Sequence, residues 1–357
     1  MYKVDQAIDV RQDELINVIS LQEYLHKKLN NNSMLELLQF PSGYSNLTYL
    51  LKMGNQNMVL RRPPHGANIK SGHDMRREFK ILSALTGHFN KIPLPIIFCD
   101  DKSIIGDEFY IMEKVNGTIF RGSQPQSDLP KPELIPKLVN SFVYTFSEIH
   151  SLKVQEIGLQ DFGKPEDYVI RQVKGWIKRY NNAKTHDFDG LDKTIQWLSK
   201  NIPNNSEACL IHNDFKFDNL MFEIGDKVKV NAVLDWEMAT IGDPLMDLGT
   251  SLGYWIHETD PEMIQELKLN ITCLKGTPSR EELVHLYGEN SGRSVQNILF
   301  YFVFGLFKIA GIVQQIYYRY QKGFTKDQRF KELDKGVELL GVMACQAIQK
   351  RKIDYLF

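Results

Sequence analysis

The sequence predicts an α+β chain in two parts, a small strand-rich part first and a larger, mainly helical part after it. Three observations carry that expectation. Strand-type runs and a hairpin signal fill the stretch from Leu35 to Arg62. Helical spacing of apolar residues dominates from Ile135 onward. The length, 357 residues, suits two domains rather than one. The boundary is expected after residue 115, giving parts 1–115 and 116–357.

Taken in order, residues 11–30 read as a helix. Thr48–Met53 and Met58–Arg62 flank Gly54-Asn55-Gln56-Asn57, which signals a hairpin. A helix is expected over Asp74–Leu85, because Met75, Phe79, Leu82 and Leu85 follow the 3.6 spacing. Glu78 falls on the same stripe, and a carboxylate on a packing face is costly without a cation. Ile92–Phe98 and Ile104–Val115 read as two more strands. A Ser-, Gln- and Pro-rich connection from Ser123 to Pro132 leads into the helical part. There Ile135–Ile149, Asp167–Tyr180, Ile298–Tyr320 and Leu333–Ile353 carry helical spacing.

Composition narrows the function. Lys and Arg number 43 and Asp and Glu 44, a net charge of −1. Such a chain has no global field to grip a nucleic-acid backbone, so nucleic acid is not expected as a partner. Cys99, Cys209, Cys273 and Cys345 are far apart and form no Cys-x-x-Cys pair, which points to reduced thiols and a cytoplasmic setting. The N-terminal residues carry acids where a signal peptide has an apolar core, so no secretion signal is expected. The most apolar run, Ile298 to Ile316, is long enough to suggest a membrane span but contains Lys308, Gln314 and Gln315. A buried helix of the larger part is expected instead, with its charge escaping at the edge and no membrane partner. Nothing in the sequence distinguishes a monomer from a homodimer.

The densest polar cluster lies between short apolar runs. Ala208–Ile211 leads into HNDFKFDN at 212–219, Leu220-Met221-Phe222 follows, and Val228–Leu234 ends at Asp235. With a turn at Gly225-Asp226, a hairpin results whose one end is expected to present Asp214, Lys216, Asn219 and Asp235. Asn219 and Asp235 offer oxygens suited to Mg2+, Asp214 a carboxylate free to take a proton, and Lys216 a charge for a phosphate. These are the parts phosphoryl transfer needs, where catalysis is mostly positioning and charge neutralisation.

HNDFKFDN resembles the protein-kinase catalytic loop H-R-D-x-x-x-x-N, with the same five-residue step from Asp214 to Asn219. Asn213, and VLDWEMATIGDP in place of a D-F-G region, make it similar to the aminoglycoside phosphotransferase family. GYSNLTYLL at 43–51, VLRRPP at 59–64, REFKILSAL at 77–85, FYIMEKVNGTIF at 109–120 and DWEMATIGDPLMDLG at 235–249 occur in that family's order. Together they look most like the kinase-like domain fused to some acyl-CoA dehydrogenases. The resemblance implies a bilobal protein-kinase-like fold, with an antiparallel sheet in the small N-terminal lobe.

It also implies roles. Asp214 matches the catalytic base, and Asn219 and Asp235 match the Mg2+ ligands. Lys216 stands where kinases place a lysine against the γ-phosphate of ATP; otherwise it is an exposed loop lysine. Glu78 matches the helix glutamate that pairs with a strand cation, and Arg61 stands where the family has lysine. Val59 and Arg61 share a face while Arg62 points the other way. Ser45 and Asn46 fall in the nucleotide loop, which has one glycine, Gly43, instead of three. Glu113 to Val115 match the hinge that reads adenine. His212 and Asp247 are expected to brace the catalytic loop and Asp243 to cap a helix starting near Pro244. Glu237 either faces the cleft or is an exposed carboxylate. Asp161-Phe162-Gly163 spells D-F-G but precedes the catalytic loop, and reads as a turn.

The implied activity is ATP- and Mg2+-dependent phosphorylation of a small-molecule hydroxyl. Basic residues Arg171, Lys174, Lys178 and Arg179, and Lys350-Arg351-Lys352, suit an anionic acceptor better than a polycationic aminoglycoside, unless they are merely solvated faces. The fused relatives imply a hydroxyacyl-CoA-like molecule. The alternatives are a catalytically weak nucleotide-binding pseudokinase, suggested by Arg61 and the sparse glycine loop, an antibiotic kinase, or nucleotidyl transfer to protein, which nothing in the sequence favours.

Overall fold

The computed structural model describes residues 2, 5–41, 46–64, 74–204, 207–325 and 327–357. In chain order its first elements are α1 (Val18–Leu29), β1 (Leu35–Gln39), β2 (Leu47–Met53), β3 (Gln56–Arg62), α2 (Met75–Leu85), β4 (Pro95–Cys99), α3 (Lys102–Ile105) and β5 (Phe109–Glu113). Then come α4 (Ile135–His150), α5 (Tyr168–Ala183), α6 (Asp189–Lys200), β6 (Cys209–Ile211), β7 (Leu220–Ile224), β8 (Val228–Val233) and β9 (Thr240–Gly242). The chain finishes with α7 (Pro244–Gly253), α8 (Glu262–Gln265), α9 (Arg280–Ser291), α10 (Ile298–Gln321) and α11 (Leu333–Lys350). Strands with two packing helices, α1 and α2, come first and a larger, mainly helical body follows, as in the kinase-like fold.

Packing divides the chain into two units, and one of them is discontinuous. Met1–Ile119 groups with Asn219–Ala239, and Phe120–Asp218 groups with Thr240–Phe357. The sequence reading divides the chain once, after residue 115. The difference is the hairpin of β7 and β8, which joins the first unit through a bridge between Thr118 and Phe222 and a bond from Val233 N to Lys91 O at 2.8 Å.

In the first unit β1 to β5 form one antiparallel sheet in the order β1-β2-β3-β5-β4, and β7 pairs with β8 in a sheet of two. The turn between β2 and β3 is shorter than the four residues read from sequence, since Met53 pairs directly with Gln56. Gly54, at φ +58, takes the left-handed position such a turn requires. Tyr49, Leu51, Leu60, Phe109 and Ile111 point into a core that also holds Leu21 and Leu25 of α1. The strand expected from Ile104 starts only at Phe109. Asp101 caps a short turn of helix there, and Gly106, at φ +90, ends it. Asp74 caps α2 by accepting from Arg77 N, which turns Met75, Glu78, Ile81, Leu82 and Leu85 inward.

In the second unit β6 pairs with β9, and α7 starts at Pro244 under the cap of Asp243, which accepts from Leu245 N and Met246 N. Asp161 to Gly163 form a turn. Helix α10 packs against α5, α6, α7 and α11. It is long and apolar enough to cross a membrane by length and composition, yet 72% of its most apolar stretch is buried inside the protein. The cation inside its apolar run does not escape at the edge. Lys308 is 2% exposed, and Gln314 is buried, donating to Ala183 O at 2.8 Å. α7 and α10 cross at glycines, so close that a Cβ on Gly305 would overlap the carbonyl of Gly249.

Candidate active site

In the first unit, β3 and α2 bring a cation and a carboxylate together. Arg61 Nη1 donates to Glu78 Oε1 at 2.8 Å, and Nη2 donates to Asp235 Oδ1 at 2.9 Å. Glu78 is 1% exposed and also accepts from Trp236 N at 3.1 Å, so it ties α2 to the residue after Asp235. Burial pushes the Glu78 carboxyl up and the Arg61 guanidinium opposes it. Arg62 points the other way, donating to Asp107 Oδ2 at 2.9 Å and to Ile105 O.

Asn219 and Asp235 flank the same end of the β7–β8 hairpin, because Leu220 pairs with Val233 and Leu234 N donates to Asn219 O at 2.8 Å. Asp235 stands in left-handed backbone at φ +65, unusual for a residue other than glycine. A carboxylate and an amide oxygen at one hairpin end are hard donors of the kind Mg2+ takes. Asn46 Nδ2 donates to Glu237 Oε2 at 2.6 Å, so Glu237 is not an exposed carboxylate. Gly43 and Ser45 lie outside the described residues. Glu113 is exposed at the end of β5, its N–H given to Leu94 O at 2.8 Å, and Val115 is half-buried in the coil beyond.

In the second unit, Asp214 and Lys216 face each other across 3.0 Å. Burial works to lower the Lys216 ammonium, but Asp214, Tyr254 and Asp218 outweigh it and hold it above its ordinary value. The ammonium lies 4.4 Å from the ring centre of Tyr254, whose own phenol is pushed up by burial beside Asp214. Burial also raises Asp218, to about 6, against the pull of Lys216 and Arg121.

The loop itself is braced from beneath. Asp247 accepts from His212 N at 2.6 Å and from Asn213 N at 2.8 Å. His150 Nε2 lies 3.2 Å from Asp247 Oδ2, and its Nδ1 lies 2.7 Å from the Tyr287 hydroxyl. Burial would raise Asp247, but the hydrogen bond and charge of His150 and His212 hold it below the usual carboxylate range. Asp214 N donates to His212 Nδ1 at 3.3 Å, which gives that histidine its place in the turn.

Sequence reasoning missed Tyr254, His150 and Lys308. Tyr254 and His150 leave no local signal, since both sit on faces that read as ordinary helical packing. Lys308 had one, a single cation inside an apolar run.

Residues 36–282 match the profile of the phosphotransferase enzyme family. The chain is 35% identical over 340 residues to mouse acyl-CoA dehydrogenase family member 10, covering 94% of itself and 31% of that protein. It thus spans about a third of that relative's length. A Ralstonia eutropha protein assigned as an aminoglycoside phosphotransferase superposes with a TM-score of 0.78 at 28% identity, covering 94% of this chain and 99% of its own. A further aminoglycoside phosphotransferase, solved with AMP-PNP and hygromycin B, shares the fold at a TM-score of 0.58 and 14% identity, covering 93% and 98%. The kinase-type loop, the helix glutamate with its strand cation, and the profile match over most of the chain agree: the protein belongs to the phosphotransferase enzyme family, with a kinase-like fold homologous to about a third of that acyl-CoA dehydrogenase family member.

Proposed function

We propose that the chain moves the γ-phosphate of ATP, with Mg2+, to a hydroxyl of a small molecule, and that the acceptor is a hydroxyacyl-CoA-like metabolite. One observation carries the transfer reading: Asp214 stands beside Lys216 on a loop whose backbone is held by a buried carboxylate, Asp247. A braced carboxylate of this kind suits a base that must meet a hydroxyl in fixed geometry.

In this reading Asp214 orients the acceptor hydroxyl and takes its proton on a carboxylate oxygen. Lys216 offsets the charge that develops on the transferring phosphoryl oxygens. Asn219 and Asp235 hold Mg2+ through oxygen atoms, and Arg61, fixed by Glu78, reaches the nucleotide phosphates. Asn46, with Ser45, and the segment Glu113 to Val115 cradle the rest of the nucleotide. Bound Mg-ATP supplies the electrophilic phosphorus.

The acceptor class rests on two supports. The mouse relative is named for an acyl-CoA dehydrogenase. Helix α5 carries Arg171, Lys174, Lys178 and Arg179 as exposed cations, which suit an anionic acceptor. The test is phosphate transfer from radiolabelled ATP with Mg2+, offered to hydroxyacyl-CoA thioesters and, separately, to aminoglycosides. Labelled thioester with wild type and none with Asp214→Ala is the expected result. Turnover of an aminoglycoside alone would refute the acceptor class.

A pseudokinase is the second reading, favoured by the engagement of Arg61 with both Glu78 and Asp235. ATP binding with equally negligible hydrolysis in wild type and Asp214→Ala would select it.

A further inference from the structure

Lys308 stands near the middle of the most apolar helix of the protein, 2% exposed, and no carboxylate among the described residues comes within ion-pair distance of it. A buried ammonium without a paired carboxylate is expensive. A glutamine or methionine would fill the same space at lower cost, so packing does not account for the charge.

Its contacts give an account. Nζ donates to Asn213 O at 2.7 Å and lies 3.4 Å from Thr250 Oγ1 and 3.5 Å from Asn213 Oδ1. Asn213 is held in left-handed backbone at φ +67, directly before Asp214. Asp247 takes its N–H at 2.8 Å, and Tyr168 receives its side-chain amide at 3.2 Å. The residue is therefore gripped by a carboxylate on its N–H side and an ammonium on its C=O side. The peptide that follows belongs to Asp214, and its N–H goes to His212 Nδ1. Both ends of that peptide are fixed, which sets where the Asp214 side chain begins.

We propose that Lys308 is a positioning residue of the catalytic loop, whose ammonium pins the peptide between Asn213 and Asp214 and so sets where the Asp214 side chain starts. This rests on the reading of Asp214 as the base. The charged groups that act on Lys308 are Asp214 and Lys216 of the loop, Asp247 of α7 and Arg179 of α5. Burial brings the ammonium down to about 8 in spite of the two carboxylates. The clamp is thus charged at neutral pH and neutral in mild alkali.

Hydrogen exchange of the full chain, followed by mass spectrometry on peptides spanning 209–219, tests it. Lys308→Met is expected to speed exchange at 212–216 by about tenfold, as loss of one charged hydrogen bond would. Peptides of α7 and α10 should stay within about twofold, and Lys308→Arg should restore part of the protection. In wild type, after correction for intrinsic rates, the same amides should loosen from pH 7 to 9.5, and if Lys308→Met does not fold this series decides. Unchanged loop protection, or protection lost evenly over α7 and α10, would overturn the proposal. Mg-ATP hydrolysis separates this from the base assignment. If Asp214→Ala hydrolyses ATP like wild type, the base reading falls; if only Lys308→Met does, the clamp falls alone. With the clamp, Lys308→Met lowers kcat and leaves the KM for ATP in place, and Lys308→Arg restores part of kcat.

Discussion

Arg61 reaches Asp235 at 2.9 Å while its other amino group stays on Glu78 at 2.8 Å, so one guanidinium joins strand, helix and the residue proposed to hold Mg2+. A lysine, with one ammonium, has no fork to do this. Both Arg61 and Glu78 are buried. Arg61→Met therefore strands a buried carboxylate and should cost about 3–5 kcal/mol. Arg61→Lys, which keeps a charge near Glu78, should cost less. Denaturant unfolding measures both, and equal stability of all three proteins would show that the pair is dispensable.

The Asp247 brace predicts an acid sensitivity. Its carboxyl is held below the usual range in the folded protein, so the unfolded state binds the proton more readily. Its stabilisation is complete above the ordinary aspartate value and declines as pH falls through the lower, folded value. Asp247→Asn should lose stability at neutral pH and show a shallower loss below about pH 4 than wild type. Thermal melts from pH 3 to 7 would reveal parallel curves if the brace were unimportant.

Where α7 and α10 cross, a methyl group has nowhere to go. Gly305→Ala would press on the Gly249 carbonyl, and Gly249→Ala on that of Tyr301. Either change should destabilise by about 1–3 kcal/mol or more, because backbone cannot yield as a side chain can. Urea midpoints equal to wild type would mean the helices slide apart freely.

Lys216 should matter more for turnover than for nucleotide binding. Lys216→Met removes the charge expected to face the transferring phosphoryl group, and kcat should fall about 100-fold with KM for ATP little changed. A rise in KM with kcat intact would place the lysine in ground-state binding instead.

Much of this was legible locally. Glu78 on an apolar stripe announces that a cation must lie opposite; alternation in β3 puts Arg61 and Arg62 on opposite faces, and the family resemblance singles out Arg61. The run from His212 to Asn219 shows its residue types at their working spacing, because a single loop carries them. The link between Asn46 and Glu237 spans 191 residues and leaves no periodic trace in either segment. Lys308 was visible as an oddity but pointed to the wrong place, since a helix period gives a face without naming its neighbour.

The sequence by itself determined many of the elements, the hairpin of β7 and β8, and the chemical types at positions 214, 216, 219 and 235, because period, caps and loop spacing act over a few residues. Only the tertiary structure decided that Arg61 divides its fork between Glu78 and Asp235, that the hairpin belongs with the first unit, and that Lys308 ends under the catalytic loop. Those outcomes come from side chains far apart in the chain competing for the same buried partners, which no local pattern encodes.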